Sequence, residues 1–267
     1  VLDYLPVVKA RLIEEPLAEK VISQDIPVLG ELSDDVSLKV REQYEENPYP
    51  RWSKAGLNST PETLLEALRD SNLHLNLNGH PISDKPNILV AGCGTGQHAV
   101  NVASSYRNSN ILAVDLSLTS LSYAKRKTQE LGLRNIEYMQ ADILKLSELE
   151  REFDLIECGG VLHHLEEPLV GWSILTDRLR KGGVMHIGLY SERARQYVVQ
   201  ARQLIKERGL TGSPADIRRF REILMELSAD SQLETSKALG MNDFYNLSEC
   251  RDLLFHVLEH RFTLPQL

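Results

Sequence analysis

The run Asn87-Ile-Leu-Val-Ala-Gly-Cys-Gly-Thr-Gly-Gln97 constrains this chain more than any other segment. A short apolar strand enters a glycine-rich turn that opens directly into a helix. Glycines there permit a tight turn and let a ligand reach main-chain N–H groups at a helix N-terminus. Dinucleotide sites use the same device, so the loop alone does not choose between ligands. Its spacing does: a nicotinamide fingerprint has its third glycine at position 97, where this chain has Gln97, and the glycine stands at Gly96 instead. Asp115 follows about 20 residues after the loop, at the end of the next apolar run, where an acidic side chain can accept from both ribose hydroxyls. Asp142 closes a third run. Three strand ends in this order converge on one crevice.

The loop opens a stretch of strand–helix alternation. Strands are expected at Asn87–Ala91, Asn110–Asp115, Ile136–Gln140, Phe153–Glu157 and Gly183–Tyr190. Helices are expected through Ala99, Val102 and Ala103, from Ser117 to Leu131, and from about Pro168 to Leu179. The pattern predicts an α/β fold: a doubly wound, mainly parallel sheet with right-handed crossovers and helical additions at both ends. Residues 1–85 read as a helical segment and lid. Apolar positions Leu2, Leu5, Val8, Leu12, Leu17 and Val21 follow helical spacing, interrupted by Pro6 and Pro16. A second helix is expected to start near Ser33-Asp34 and to stop at Asn47-Pro-Tyr-Pro50. A third should have Thr60 as its cap and Pro61 in its first position. The polar stretch from Asn76 to Lys85 is the expected boundary with a core at 86–190. Residues 191–267 read as an acceptor-side segment of three amphipathic helices, Ser191–Arg208, Pro214–Leu227 and Asn246–His260.

Val-Ala-Gly-Cys-Gly-Thr-Gly-Gln97, Ala-Val-Asp115-Leu-Ser, Gln-Ala-Asp142-Ile and Phe153-Asp-Leu-Ile-Glu-Cys-Gly-Gly-Val-Leu-His-His-Leu165 resemble the successive motifs of class I S-adenosylmethionine-dependent methyltransferases. The resemblance covers about residues 86 to 190. Gln43–Trp52, Leu189–Arg195 and Leu254–Pro265 are further similar to a bacterial subgroup whose members often carry tetratricopeptide repeats. The resemblance implies S-adenosylmethionine as cofactor and leaves the acceptor open. It assigns the cofactor to Ala91, Gly92, Cys93, Gly94, Gly96 and Gln97 in the loop, Asp115 with Leu116, Asp142 with Ile143 at the adenine, and Cys158 with Gly159. The family sheet ends in two further strands, the last antiparallel, and no such pair is readable before Leu267. The chain also begins at Val1 without an initiator Met and is expected to be a fragment, or to build that sheet edge differently.

Methyl transfer is an in-line displacement at an activated sulfonium, so most of the catalysis can come from holding the acceptor in place. A base is needed only where the acceptor must lose a proton. His163, of the His163-His164 pair in the loop after the fourth strand, is the candidate base; a backbone-bonded loop histidine is the alternative. Tyr44, Tyr49, Arg51 and Trp52 form an aromatic and cationic cluster ahead of the core, either a lid or a turn pinned by Trp52. Tyr44, Tyr190 and Arg195 are further acceptor-side candidates. His256-Val-Leu-Glu-His260 matches an inverted zinc-protease signature, but only seven residues follow it, too few for the third ligand. It reads as the face of an amphipathic helix, and no metal is expected.

The bulk numbers exclude more than they assign. A net charge of −8 argues against non-specific nucleic-acid binding, although Arg218, Arg219 and Arg221 make a local basic face. No apolar run approaches the roughly 20 residues of a membrane span. Three cysteines, Cys93, Cys158 and Cys250, cannot all pair and lack metal spacing, which fits a cytoplasmic protein. The leading expectation is an enzyme that methylates a small-molecule or protein acceptor, its oligomeric state open. A non-catalytic cofactor- or partner-binding module with the same fold is the alternative, and a nicotinamide oxidoreductase is disfavoured by Gln97.

Overall fold

The computed structural model describes residues 5–31, 34–71, 81–228 and 234–267. Leu2, Ser33 and the 76–80 part of the expected boundary lie outside the described residues. The chain forms two compact units, one of Val1–Leu162 with Leu169–Gly188, the other of His163–Pro168 with Leu189–Leu267.

The first unit is built on a six-stranded, all-parallel sheet: β1 (Val28–Leu29), β2 (Asn87–Ala91), β3 (Asn110–Asp115), β4 (Ile136–Ala141), β5 (Phe153–Gly159) and β6 (Leu179–Gly188). The order is β1-β4-β3-β2-β5-β6. Helices α5 (Gln97–Ser105), α6 (Leu118–Glu130) and α7 (Pro168–Asp177) make the crossovers β2–β3, β3–β4 and β5–β6. The central strands are continuous apolar runs because both faces are covered. Ile88, Val90, Ile111, Ala113 and Leu155 pack with Ala99, Val102, Leu121 and Ala124 of α5 and α6. Leu89, Leu112 and Ile156, which alternate with them along the strands, are equally buried. The order reverses between β2 and β5, so the crevice at their carboxyl ends is the switch point at which such sheets bind ligands. Among the described residues no strand follows β6; Ser191 and Phe262 form only an isolated bridge within the second unit.

The N-terminal segment departs from the expectation in three places. Pro16 does not interrupt it: α1 (Pro6–Lys9) starts at Pro6 and runs through a π-turn at Ala10–Glu14 into α2 (Glu15–Ile22). Pro16 is the second residue of α2, which directly follows the π-turn. Val28-Leu29 adds β1 to the outer edge of β4, pairing Val28 with Gln140. α3 (Asp35–Glu46) does start where expected, with Asp34 Oδ1 accepting from the Ser37 N–H at 2.7 Å. α4 (Leu64–Asp70) starts three residues later than read, since Thr63 and Glu66 form a reciprocal capping box while Glu62 bridges Tyr106.

In the second unit, α8 (Gln196–Glu207), α9 (Pro214–Ser228) and α10 (Leu247–Phe255) pack Val198, Ala201, Phe220, Leu224, Phe244, Leu253 and Leu254 into one core. Two expected helices are shorter. Ser191–Arg195 forms a turn ahead of α8, with the Glu192 N–H donated to the Phe262 carbonyl. α10 ends at Phe255 because His256 turns extended, at ψ 144°, and its carbonyl accepts from Arg202 Nη2 at 2.7 Å. His256 and His260 therefore do not share a helix face, which corrects the helical reading of that motif.

Candidate functional site

The glycine loop follows β2 and closes on the neighbouring strand. The N–H groups of Gly92 and Cys93 both donate to the Val114 carbonyl, at 2.8 and 2.9 Å. Gly92, Gly94 and Gly96 all have positive φ. Gly96, at φ 83°, is the N-cap of α5; a Cβ there would lie 2.5 Å from that of Ala124, so only glycine fits. Having no side chain, it leaves the first turn of α5 without a side-chain cap. An uncapped N-terminus of a nine-residue helix presents N–H groups and the positive dipole end to an anionic group.

Asp115 ends β3 beside this loop. Its Oδ2 accepts from the Gly94 N–H at 2.7 Å and its Oδ1 from the Ser117 N–H at 2.9 Å. A carboxylate has about four lone-pair sites, so acceptor capacity for a hydroxyl remains beside the Gly94, Ser117 and Leu116 amides. Burial raises its pKa above the ordinary 3.8, partly offset by the Ser117 and Gly94 amides, while the nearby Glu45 raises it further. Leu116 follows, and its carbonyl accepts from Gln140 Nε2 of β4 at 2.8 Å. Asp142 and Ile143 lie just past β4 and are buried; Asp142 Oδ1 caps a short turn through the Leu144 N–H. Cys158 and Gly159 end β5. Burial pushes the Cys158 thiol up to about 12 and that of Cys93 well above 9, so neither is a thiolate.

Ala91 to Gln97, Asp115, Leu116, Asp142, Ile143, Cys158 and Gly159 thus stand at the carboxyl ends of four adjoining strands of one unit. A carboxylate, a helix start without a side-chain cap and open space at Gly159 are thereby brought to one edge of the sheet. A Cβ at Gly159 would meet no atom within 4 Å. Gly159→Val should therefore leave the melting temperature unchanged while weakening S-adenosylhomocysteine binding by about tenfold or more. Calorimetric titration beside a thermal melt separates the two effects; unweakened binding would remove Gly159 from the site.

The segment after α3 is pinned at Trp52, one of the two readings its aromatic cluster allowed, and what sequence reasoning missed is the set of partners. Trp52 is buried, and its Nε1 donates to the Thr95 carbonyl in the glycine loop at 2.9 Å. Thr95 Oγ1 donates to the Pro50 carbonyl, and the Tyr123 hydroxyl to that of Trp52. A Cβ at Gly94 would lie 2.9 Å from the Tyr49 carbonyl. Glu45 accepts from the Leu118 N–H at 2.6 Å, the Thr119 N–H at 3.2 Å and the Thr119 hydroxyl. Tyr44 precedes it on α3 and is half-buried. No local pattern announces these contacts, which join residues more than 40 positions apart.

His163 and Tyr190 come together in the second unit. His163 lies in a 3-10 turn, Leu162–His164, not in an extended loop, and both histidines are buried. The His163 ring stacks on Tyr190 at 3.8 Å, and the Arg195 guanidinium lies 3.8 Å from the Tyr190 ring centre. Glu259, whose side chain is fully buried, pairs with Arg195. His164 Nδ1 donates to the Leu258 carbonyl at 2.7 Å, and its ring stacks on His256 at 3.5 Å. The His260 N–H donates to the His163 carbonyl at 2.7 Å. The His256–His260 segment is accordingly a clamp on the turn that holds the two histidines. Among the described residues no group of three or more His, Cys, Asp or Glu has metal-binding geometry.

A parallel sheet of this order with a glycine loop and an acidic second strand end defines the class I methyltransferase fold. Residues 88–183 match the family described as a methyltransferase domain. An uncharacterized protein of Synechococcus sp. is 37% identical over 126 residues, spanning 47% of this chain and 30% of that protein. Malonyl-[acyl-carrier protein] O-methyltransferase of Paenibacillus sp. is 30% identical over 123 residues, 45% of this chain and 44% of that one. The structure of PKMT2 from Rickettsia typhi in complex with AdoHcy shares the fold at a TM-score of 0.56 and 20% identity, covering 68% of this chain and 37% of that one. The chain thus spans less than half the length of these relatives.

Proposed function

We propose that the protein transfers a methyl group from S-adenosylmethionine to an acceptor that is a small molecule or a protein side chain. The observation that carries this reading is Asp115, fixed by the Gly94 and Ser117 amides beside the uncapped start of α5. S-adenosylmethionine supplies the methyl on a sulfonium that needs no further activation. Asp115 and Leu116 hold the ribose, Asp142 and Ile143 the adenine, the Ala91–Gln97 loop with α5 the amino-acid end, and Cys158-Gly159 the donor end. Tyr44, His163 and Tyr190 are the proposed acceptor-side residues, with His163 the base for an acceptor that must lose a proton.

No described helix is long and apolar enough to cross a membrane. We assign the protein to the cytoplasm because Cys93, Cys158 and Cys250 are all buried free thiols, a state a reducing compartment preserves. Thermal melts test the cofactor. S-adenosylhomocysteine or S-adenosylmethionine at about a hundredfold excess over Kd should stabilise the protein by about 2.7 kcal/mol, and NAD should do nothing. A shift with NAD alone, or none with either sulfur ligand, would sink the proposal.

A further inference from the structure

We propose that Glu45 is a specificity-determining residue that makes the nucleotide end accept a free ribose and turn away a ribose phosphate. The inference rests on the reading that Asp115 meets the ribose. A helix N-terminus binds phosphate through its N–H groups, and in an α/β nucleotide site the ones nearest the acidic strand end are those that open the next helix. Here those groups are the N–H groups of Ser117, Leu118, Thr119 and Ser120, at the start of α6. Each is already taken within the chain. Ser117 donates to Asp115 Oδ1 at 2.9 Å, Leu118 and Thr119 donate to Glu45 at 2.6 and 3.2 Å, and Ser120 donates to Ser117 Oγ at 3.0 Å.

Glu45 arrives from α3, 73 residues away in sequence. Its carboxylate occupies the place of an external anion at the positive end of the α6 dipole, and the Thr119 hydroxyl adds a further hydrogen bond. The two carboxylates are close enough that Glu45 raises the pKa of Asp115. A phosphate entering here would meet negative charge from Asp115 and Glu45 and find no amide to bind. A nucleoside with free hydroxyls meets the remaining acceptor capacity of Asp115. Asp115 alone favours hydroxyls, while Glu45 removes the amides that a phosphate would need.

The test uses adenosine and adenosine 2′-phosphate, which differ only in the phosphate, as competitors of radiolabelled S-adenosylhomocysteine on the full chain. Glu45→Gln and Glu45→Ala should each lower the ratio of the two inhibition constants by about tenfold or more, from a wild-type preference for adenosine. Direct titration of S-adenosylhomocysteine in each variant reports that the site is formed. A wild-type ratio near one, or ratios unchanged in both variants while S-adenosylhomocysteine still binds, would overturn the role of Glu45 alone. Wild-type protein that does not bind S-adenosylhomocysteine would overturn the cofactor reading, and this inference with it.

Discussion

Acidification from about pH 7 to about pH 5 should destabilise the protein by roughly 2 kcal/mol or more, with the loss concentrated in the second unit. The cause is His164 and His256. Burial, its largest cause, holds His164 down to about 4 from the usual 6.5. Burial and the neighbouring His164 likewise depress His256. Both are neutral when folded, and their rings stack at 3.5 Å, so a proton on one would face the other inside the core. The unfolded chain takes up these protons as pH falls through about 6.5, whereas the folded chain does not until much lower. Stability is therefore complete above the unfolded value and drains away between about 6.5 and about 4. Over that whole window His164 alone accounts for about 3 kcal/mol, at 1.36 kcal/mol per pKa unit. Calorimetric melts across this range, with amide exchange followed in α8 and α10, measure it. His164→Asn keeps a donor for the Leu258 carbonyl and should flatten the dependence. Melting that is independent of pH between about 7 and about 5 would contradict the buried neutral pair.

That pair shows where sequence reading stops. The sheet was legible because strand–helix alternation repeats over a hundred residues, and each turn of the pattern limits the topology. β1 was not, since Val28-Leu29 is too short to show a period and exists only because β4 offers an edge. The start of α4 was misread at Thr60 because a threonine before a proline satisfies a general rule, while Thr63 with Glu66 satisfies a more specific one. The His256–His260 motif looked like a helix face because its apolar neighbours keep helical spacing. Arg202 takes the carbonyl that would have continued the helix, and that contact spans 54 positions. The same holds at the candidate site. Gly92, Gly94, Gly96 and Asp115 announce themselves by spacing; Trp52 reaches the loop and Glu45 the start of α6 through long-range contacts that leave no periodic trace.

Asp115→Ala should weaken S-adenosylhomocysteine binding by on the order of a hundredfold or more, and this is the largest single effect expected at the cofactor site. Two losses combine. The ribose hydroxyls lose a charged acceptor, at about 1.5–3 kcal/mol for each hydrogen bond of that kind. The Gly94 and Ser117 amides lose the partner that fixes the glycine loop to the end of β3, so the loop is no longer preorganised. Asp115→Asn separates these contributions. It is nearly isosteric and can still accept from one amide, but its NH2 opposes the other N–H and its charge is gone. Its affinity should fall between wild type and Ala. The raised pKa adds a sign: protonation removes acceptor capacity, so affinity in the wild type should decline on acidification from above the ordinary 3.8, and Asp115→Asn should lack that decline. Titration calorimetry at several pH values, with far-UV dichroism to verify the fold, reads all three proteins. Binding by Asp115→Ala within threefold of wild type would place the ribose elsewhere. The glycine loop would then be a turn that packs on Val114 and Ala124 for structural reasons alone.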